Sequence, residues 1–211
     1  MPYPAGHRER IRSKIVESAR RLFNRHGFES VSVNSIMAEA GLTRGAFYAY
    51  FDSKSDLYAE VLTCFFTDPH WKSRWKGISV DLAAPDAGPQ IVAAYLSRQH
   101  WKDVENSCPM VALPGDVARG NRKVKSAFEN VFQAMVAVLG REVRSAGAPA
   151  RETAMAIASL CIGGMVVARS LHDARLADRL RKAARNAALL LGGWNRRAPS
   201  SPPSRPPRKR H

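Results

Sequence analysis

Apolar residues return every three or four positions along most of this chain, the period of an α-helix, and runs that alternate every second residue are almost absent. Ile11, Ile15, Leu22 and Phe23 fall on one stripe, with charges on the other faces, and Gly27 stands where a glycine ends a helix. Ser32 is placed to cap a second helix with Val33, Ile36 and Ala40 on its apolar side, stopped at Gly41. Thr43 is placed to cap a third, read as α-helical and closed by Phe51-Asp52. The run Ser53-Lys54-Ser55-Asp56 has the layout of a capping box with Asp in the Glu place, opening a fourth helix with Leu57, Val61 and Phe65.

Residues 67–90 hold prolines, glycines and aspartates and predict an irregular connection. Helical spacing returns at Ile91, Tyr95 and Arg98, and again at Val124, Phe128, Val131, Met135, Val138 and Leu139. Between them SCPMVALPGDVARG predicts a short helix opened by Pro109 and disturbed by Pro114. Two more helices follow. One carries Ile157, Leu160, Cys161, Gly164, Ala168 and Leu171 on a seam; the other carries Leu176, Leu180, Ala183, Ala187 and Leu190. The fold class expected is all-α, without internal repeats. After Trp194 the chain reads NRRAPSSPPSRPPRKRH, with five prolines and no acid, which predicts a disordered basic end with polyproline character.

Composition narrows the picture. Hydrophobic residues make up 45% of the 211, enough for a core and too many for a wholly disordered chain. The net charge of +15 divides into +2 for residues 1–60, +7 for 61–194 and +6 for the last 17. A basic balance of this kind suits nucleic acid or an anionic surface as partner, and equally a merely basic soluble protein. Cys64, Cys108 and Cys161 are odd in number and form no CxxC pair, which argues against a disulfide framework or structural zinc and for a reducing compartment. The N-terminus lacks the apolar run of a signal peptide, and the weakly polar stretch Thr153–Ala168 is short of the roughly 20 residues of a membrane span. The expectation is a soluble cytoplasmic protein that touches no membrane.

The stretch TRGAFYAYFDSK, Thr43–Lys54, interleaves aromatics with charges. Placed on an α-helix at about 100° per residue, Phe47 and Phe51 share a core face, while Gly45, Ala46 and Ala49 leave the far side nearly bare. Arg44 and Tyr48 then lie together on the flank. A helix with a bare face suits the major groove of DNA, and the preceding helix with the Gly41-Leu42-Thr43 turn completes a helix-turn-helix. In that geometry N-terminal residues reach base edges, so Arg44 is placed to bind guanine. Tyr48, Tyr50 and Lys54 fall where phosphates lie, with Ser32 and Thr43 at helix starts. The bland alternative is an αα-corner of an ordinary helical protein.

The segment Arg8–Leu62 resembles the N-terminal domain of the TetR family of bacterial transcriptional regulators. The resemblance rests on Ala19, Leu22, Phe23, Gly27, Phe28, Ser32, Val33, Ile36, Ala38, Ala40, Gly41, Leu42, Gly45, Phe47, Tyr48, Tyr50, Phe51, Lys54 and Leu57, one ungapped block. It implies a three-helix head (8–58) after a short N-terminal tail (1–7). A larger all-α ligand-binding and dimerisation domain (59–194) follows, and then the basic tail (195–211). It implies a homodimer on a palindromic operator in double-stranded DNA, commonly a repressor released by a small-molecule effector. Carried over residue by residue, Asn34, Arg44, Gly45 and Ala46 face bases, with Val33 beside them. Ser32, Thr43, Tyr48, Tyr50 and Lys54 face phosphates. Position 50 is often histidine in the family and is tyrosine here, which can still donate to a phosphate.

For the last two helices the resemblance favours a dimer interface built from Ile157, Leu160, Cys161, Gly164, Ala168, Leu171, Leu176, Leu180, Ala183 and Ala187, with packing inside one subunit as the alternative. Candidate pocket residues are Tyr95, Trp101, Met110, Phe128, Phe132 and Met135; aromatic and Met positions at helical spacing are also what a plain core uses. No buried charge stands out, so an apolar or aromatic effector is expected. Cys108 precedes Pro109 at a helix start, a placement that favours the thiolate, so it joins the pocket candidates as an electrophile or redox sensor; the alternative is a small buried residue. His26, His70, His100 and His172 lack metal-ligand spacing and read as surface or rim residues. No nucleophile–base or carboxylate pair is evident, and no cofactor is implied. Two rivals remain: a non-specific DNA binder driven by charge and tail, and an all-α enzyme with a vestigial helix-turn-helix.

Overall fold

The computed structural model describes residues 6–67 (side chains to 64), 78, 80–144 and 148–194, and among them there is no strand. The helices are α1 (His7–His26), α2 (Val33–Glu39), a 3-10 helix (Arg44–Ala49), α3 (Lys54–Thr67), α4 (Ala87–Tyr95) and α5 (Arg98–Lys102). Then come α6 (Pro109–Ala112), α7 (Pro114–Arg119), α8 (Arg122–Glu142), α9 (Ala150–Ser170) and α10 (Ala174–Leu191). The N-terminal tail through residue 5, the Phe65 side chain and the basic end 195–211 lie outside the described residues.

Local chemistry explains the first turns. Gly27 adopts φ 79° and donates its N–H to the Phe23 carbonyl, closing α1 in a conformation that a Cβ would strain. Gly41 does the same work after α2, at φ 65°. Ser32 caps α2 through a reciprocal box with Ser35: each hydroxyl accepts the other residue's backbone N–H. At Ser53 the hydroxyl accepts the Asp56 N–H, and the Asp56 carboxylate accepts from Lys123 Nζ on α8 and from Ser53, which together hold its carboxyl below the usual range. Thr43 is extended, as a cap should be, yet its hydroxyl makes no capping bond.

Two cores result. The head core joins Ile15, Ala19 and Phe23 of α1 to Ile36, Met37, Phe47, Leu57 and Tyr58, with Phe23 and Tyr58 in an edge-to-face pair 5.2 Å apart. Burying each large side chain contributes roughly 1.5–3 kcal/mol. Leu113, Val117, Val124 and Ala127, from Leu113, α7 and α8, complete this same core. Asp116 on α7 also accepts the Phe28 N–H. The body core is built from α4, α6, α8, α9 and α10. Trp194 closes it by donating Nε1–H to the Glu142 carbonyl at 2.7 Å.

α9 departs from expectation. Its 21 residues, with mean hydropathy 1.5 over their most apolar window, are long and apolar enough to cross a membrane by length and composition. They pack instead against α8 and α10 through Ala154, Ile157, Ala158, Cys161, Met165 and Ala168.

Candidate nucleic-acid interface

The helix after the Gly41 turn is 3-10, not α. At three residues per turn, side chains eclipse in columns. Phe47, fully buried, anchors one column under Arg44; Ala46 and Ala49 form the second; Gly45 and Tyr48 form the third. The expected pairing of Arg44 with Tyr48 is therefore replaced by a Gly45–Tyr48 column. A Cβ at Gly45 would meet nothing within 4 Å, and Tyr48 is 61% exposed, its ring edge-on to Phe47 at 5.3 Å. Thr43, Arg44 and Asn34 are exposed as well. Ala46, Val33 and Tyr50 are half-buried against the head core, so they stand further back than the sequence implied.

Two residues that sequence reading passed over secure this face. Arg8 donates to the Ala49 carbonyl at 2.9 Å and Arg12 to the Tyr50 carbonyl at 2.5 Å. They satisfy acceptors at the C-terminal end of the 3-10 helix, where cations are favoured. Glu60 of α3 holds Arg12 from the other side, and Arg12 lies 4.2 Å from the centre of the Phe51 ring. Their four-residue spacing on α1 was the available signal.

Lys54 corrects an expectation. Read as a phosphate contact, it points inward: Nζ donates to the carbonyls of Phe28 at 2.9 Å and Val31 at 3.0 Å and lies over the Phe28 ring. It staples the α1–α2 turn to the start of α3. Lys54→Ala is expected to cost the fold about 2 kcal/mol, since hydrogen bonds to charged groups are the stronger kind. It is also expected to leave the salt dependence of DNA affinity unchanged. Urea unfolding and a salt titration check this together; unchanged stability with a flattened salt slope would return Lys54 to the phosphate list.

The seven pocket candidates do come together, but as packing. Tyr95, Cys108, Met110 and Met135 are buried in the body core, with Trp101, Phe128 and Phe132 against its edge. Cys108 stands before Pro109 as expected, yet its thiol is fully buried and accepts a hydrogen bond from the Tyr95 hydroxyl at 2.8 Å. A reagent in water does not reach it in this conformation. Burial pushes the Cys161 thiol up to about 12.

Several proposed interface residues face their own subunit. Ile157, Cys161 and Ala168 are fully buried, and a Cβ on Gly164 would lie 2.8 Å from Ala184 Cβ of the same chain. Leu160 and Leu171 are half-buried. On the outward face of α10 Leu176 and Ala183 are exposed, Leu180 and Ala187 half-exposed, and Leu190 extends the apolar stripe.

Charge is buried after all. Arg20 on α1 donates to the Glu105 carbonyl and Asn106 Oδ1, with Glu17 holding its other edge. Asn24 donates to the carbonyls of Glu105 and Ser107. Ser107 Oγ accepts from Arg169 on α9 at 2.8 Å and lies 2.9 Å from His100 Nε2. His100, read as a surface residue, is fully buried with Nδ1 2.7 Å from the Tyr95 carbonyl. A carbonyl only accepts, so Nδ1 carries the proton and Nε2 accepts from Ser107. Burial, with help from the Arg169 charge, pushes His100 down to about 3. Residues 100–107 thus form a polar joint between head and body.

Residues 15–61 match the model of the N-terminal domain of bacterial regulatory proteins, tetR family. The HTH-type transcriptional regulator AcrR of Shigella flexneri is 43% identical over 53 residues, 25% of this chain and 25% of that protein. The uncharacterized HTH-type transcriptional regulator YerO of Bacillus subtilis is 32% identical over 122 residues, 57% of this chain and 41% of that one. The chain therefore spans about a quarter of the length of the first relative and under half of the second. Among solved structures, reduced NemR of E. coli superposes with a TM-score of 0.67 at 16% identity, over 86% of this chain and 97% of that one. The SmeT–triclosan complex superposes at 0.59 and 19% identity, over 94% and 100%. At such identities the likeness is one of fold, and it covers head and body together.

Proposed function

We propose that this chain, whose residues 15–61 carry the N-terminal domain of the tetR family of bacterial regulatory proteins, is a sequence-specific DNA-binding transcriptional regulator, a repressor released from a palindromic operator by a small-molecule effector. It acts as a homodimer in the cytoplasm and is not an enzyme. The observation that carries the reading is the outward Gly45–Tyr48 column beside Arg44, mounted on the fully buried Phe47. A column that begins with a bare glycine lets backbone approach base edges, and Arg44 at the start of the helix is placed to take guanine by two hydrogen bonds. Thr43 and Tyr48 would hold phosphates, and the exposed Asn34 on α2 completes the contact surface.

The remaining parts follow from this head. The outward apolar stripe of α10 supplies the dimer contact, and two-fold symmetry then asks for a palindrome with half-sites a helical turn apart. The head spans residues 8–58, and 59–194 form the ligand-binding and dimerisation domain. SmeT, of the same fold, is known in complex with triclosan, which supports a small-molecule effector for this body. Release requires the effector to favour one arrangement of the two heads over another.

Selection of DNA from a random duplex library at physiological salt tests the reading directly. A recovered palindrome is the expected result; recovery of no motif, with binding that disappears as salt rises, would favour charge-driven contact. On the selected site Arg44→Ala is expected to cost about 1–3 kcal/mol and relax preference at one base position. An equal loss on operator and random DNA would remove Arg44 from base reading.

A further inference from the structure

We infer that the cleft between α4, α5 and α10 is a binding site for an organic carboxylate. Its volume, about 590 Å³, falls within the roughly 300–1,000 Å³ of small-molecule sites. Its composition is two-sided. Ile78, Ala94 and Leu96 supply apolar lining, while Arg98, Lys182 and Arg185 supply cations. All three cations are exposed, and none forms an ion pair among the described residues. The acid in the lining, Asp178, is committed to Arg181.

Arg181 is the second observation. Only 6% exposed, it donates to the Leu96 carbonyl and to Asp178, and it lies 5.5 Å from the centre of the Trp101 ring. Its Nε–H is buried with no acceptor. Its two terminal nitrogens are spent on Leu96 and Asp178, so Arg181 contributes positive charge in the wall of the cleft, and the exposed Arg98, Lys182 and Arg185 supply the free donors.

Location favours access. Asp178, Arg181, Lys182 and Arg185 share one face of α10, whereas Leu176, Leu180, Ala183 and Ala187 share nearly the opposite one at 100° per residue. A second subunit seated on the apolar stripe leaves the cleft open. The cations supply a charge anchor and the α4 side a surface for a small hydrocarbon or aromatic body, so an acid with an apolar body fits, and its uncharged amide lacks the anchor.

Isothermal titration of the full chain, without DNA, with octanoate and benzoate against octanamide and benzamide tests this. The inference goes beyond the regulatory reading and does not depend on it, because no operator is present. At least one acid is expected to bind at least tenfold more tightly than its amide. Lys182→Gln with Arg185→Gln should weaken it a further tenfold or more. Lys125→Gln with Arg141→Gln, an equal charge loss on α8, should leave it unchanged. Equal affinity for acid and amide, or equal weakening by both double variants, would overturn the assignment. An unchanged helical circular dichroism spectrum in each variant keeps the comparison one of binding.

Discussion

Taking the protein from pH 6.5 to pH 5 is expected to remove about 2 kcal/mol of folding stability through His100 alone. In the fold its pKa lies near 3, against an ordinary 6.5. Between those values the unfolded chain takes up a proton that the folded one refuses, so stability falls as pH falls; above 6.5 the slope fades and is gone by about pH 8. Burial is the main cause of the refusal, and the positive charge of Arg169 adds to it; the Tyr95 carbonyl, which accepts from Nδ1–H, and Asp103 offset only part of the penalty. Set against a total stability of about 5–15 kcal/mol, a change of this size is large. Urea unfolding at pH 6.5, 6 and 5 measures it, and His100→Gln should flatten the dependence by that amount. Equal slopes in parent and variant would mean that the folded protein accepts the proton. Because the ring is tied through Ser107 to Asn24 of α1, acid should loosen the joint to the head before the body core itself fails.

Two adjacent glycines on α9 should respond oppositely to the same methyl group. Gly164→Ala is expected to destabilise by about 1–3 kcal/mol, because the new Cβ would lie 2.8 Å from Ala184 Cβ and 3.3 Å from Leu96 Cδ2. Neither helix axis can yield cheaply, since Ala177, Ala184 and Ala188 already bring α10 close to Cys161, Met165 and Ala168. Gly163→Ala meets nothing within 4 Å and should gain up to about 1 kcal/mol from helix propensity. Thermal unfolding of the two single variants under one condition decides. A loss at both positions would mean that Gly163 is covered by a second subunit, and no loss at Gly164 would mean that the α9–α10 seam is looser than described.

Legibility in the sequence followed the range of the interactions. The head was readable because its signals are local: Gly27 and Gly41 need positive φ, Ser32 caps its own helix, and Phe47 and Phe51 must find an interior. The 3-10 helix was not, since the same residues satisfy either a three- or a four-residue repeat until the carbonyl partners are known. α9 misled for another reason. Its residues are small or apolar on nearly every side, from buried Ile157 and Ala168 to exposed Met155 and Val167, so periodicity does not mark which side is inside. The polar misreadings were all tertiary. His100 and Lys54 look like surface residues in one dimension, and only their bonds to distant carbonyls or hydroxyls explain why they turn inward.

Leu113, Val117, Val124 and Ala127 sit far along the chain yet finish the packing under α1 and α3. A fragment cut after residue 62 would therefore be a half-closed shell, with a raw apolar floor where α7 and α8 had been. Within the intact chain the same arrangement makes the head cargo bolted to α8. Rolling or sliding of that 21-residue rod is expected to carry Arg44 and Tyr48 with it through the shared core.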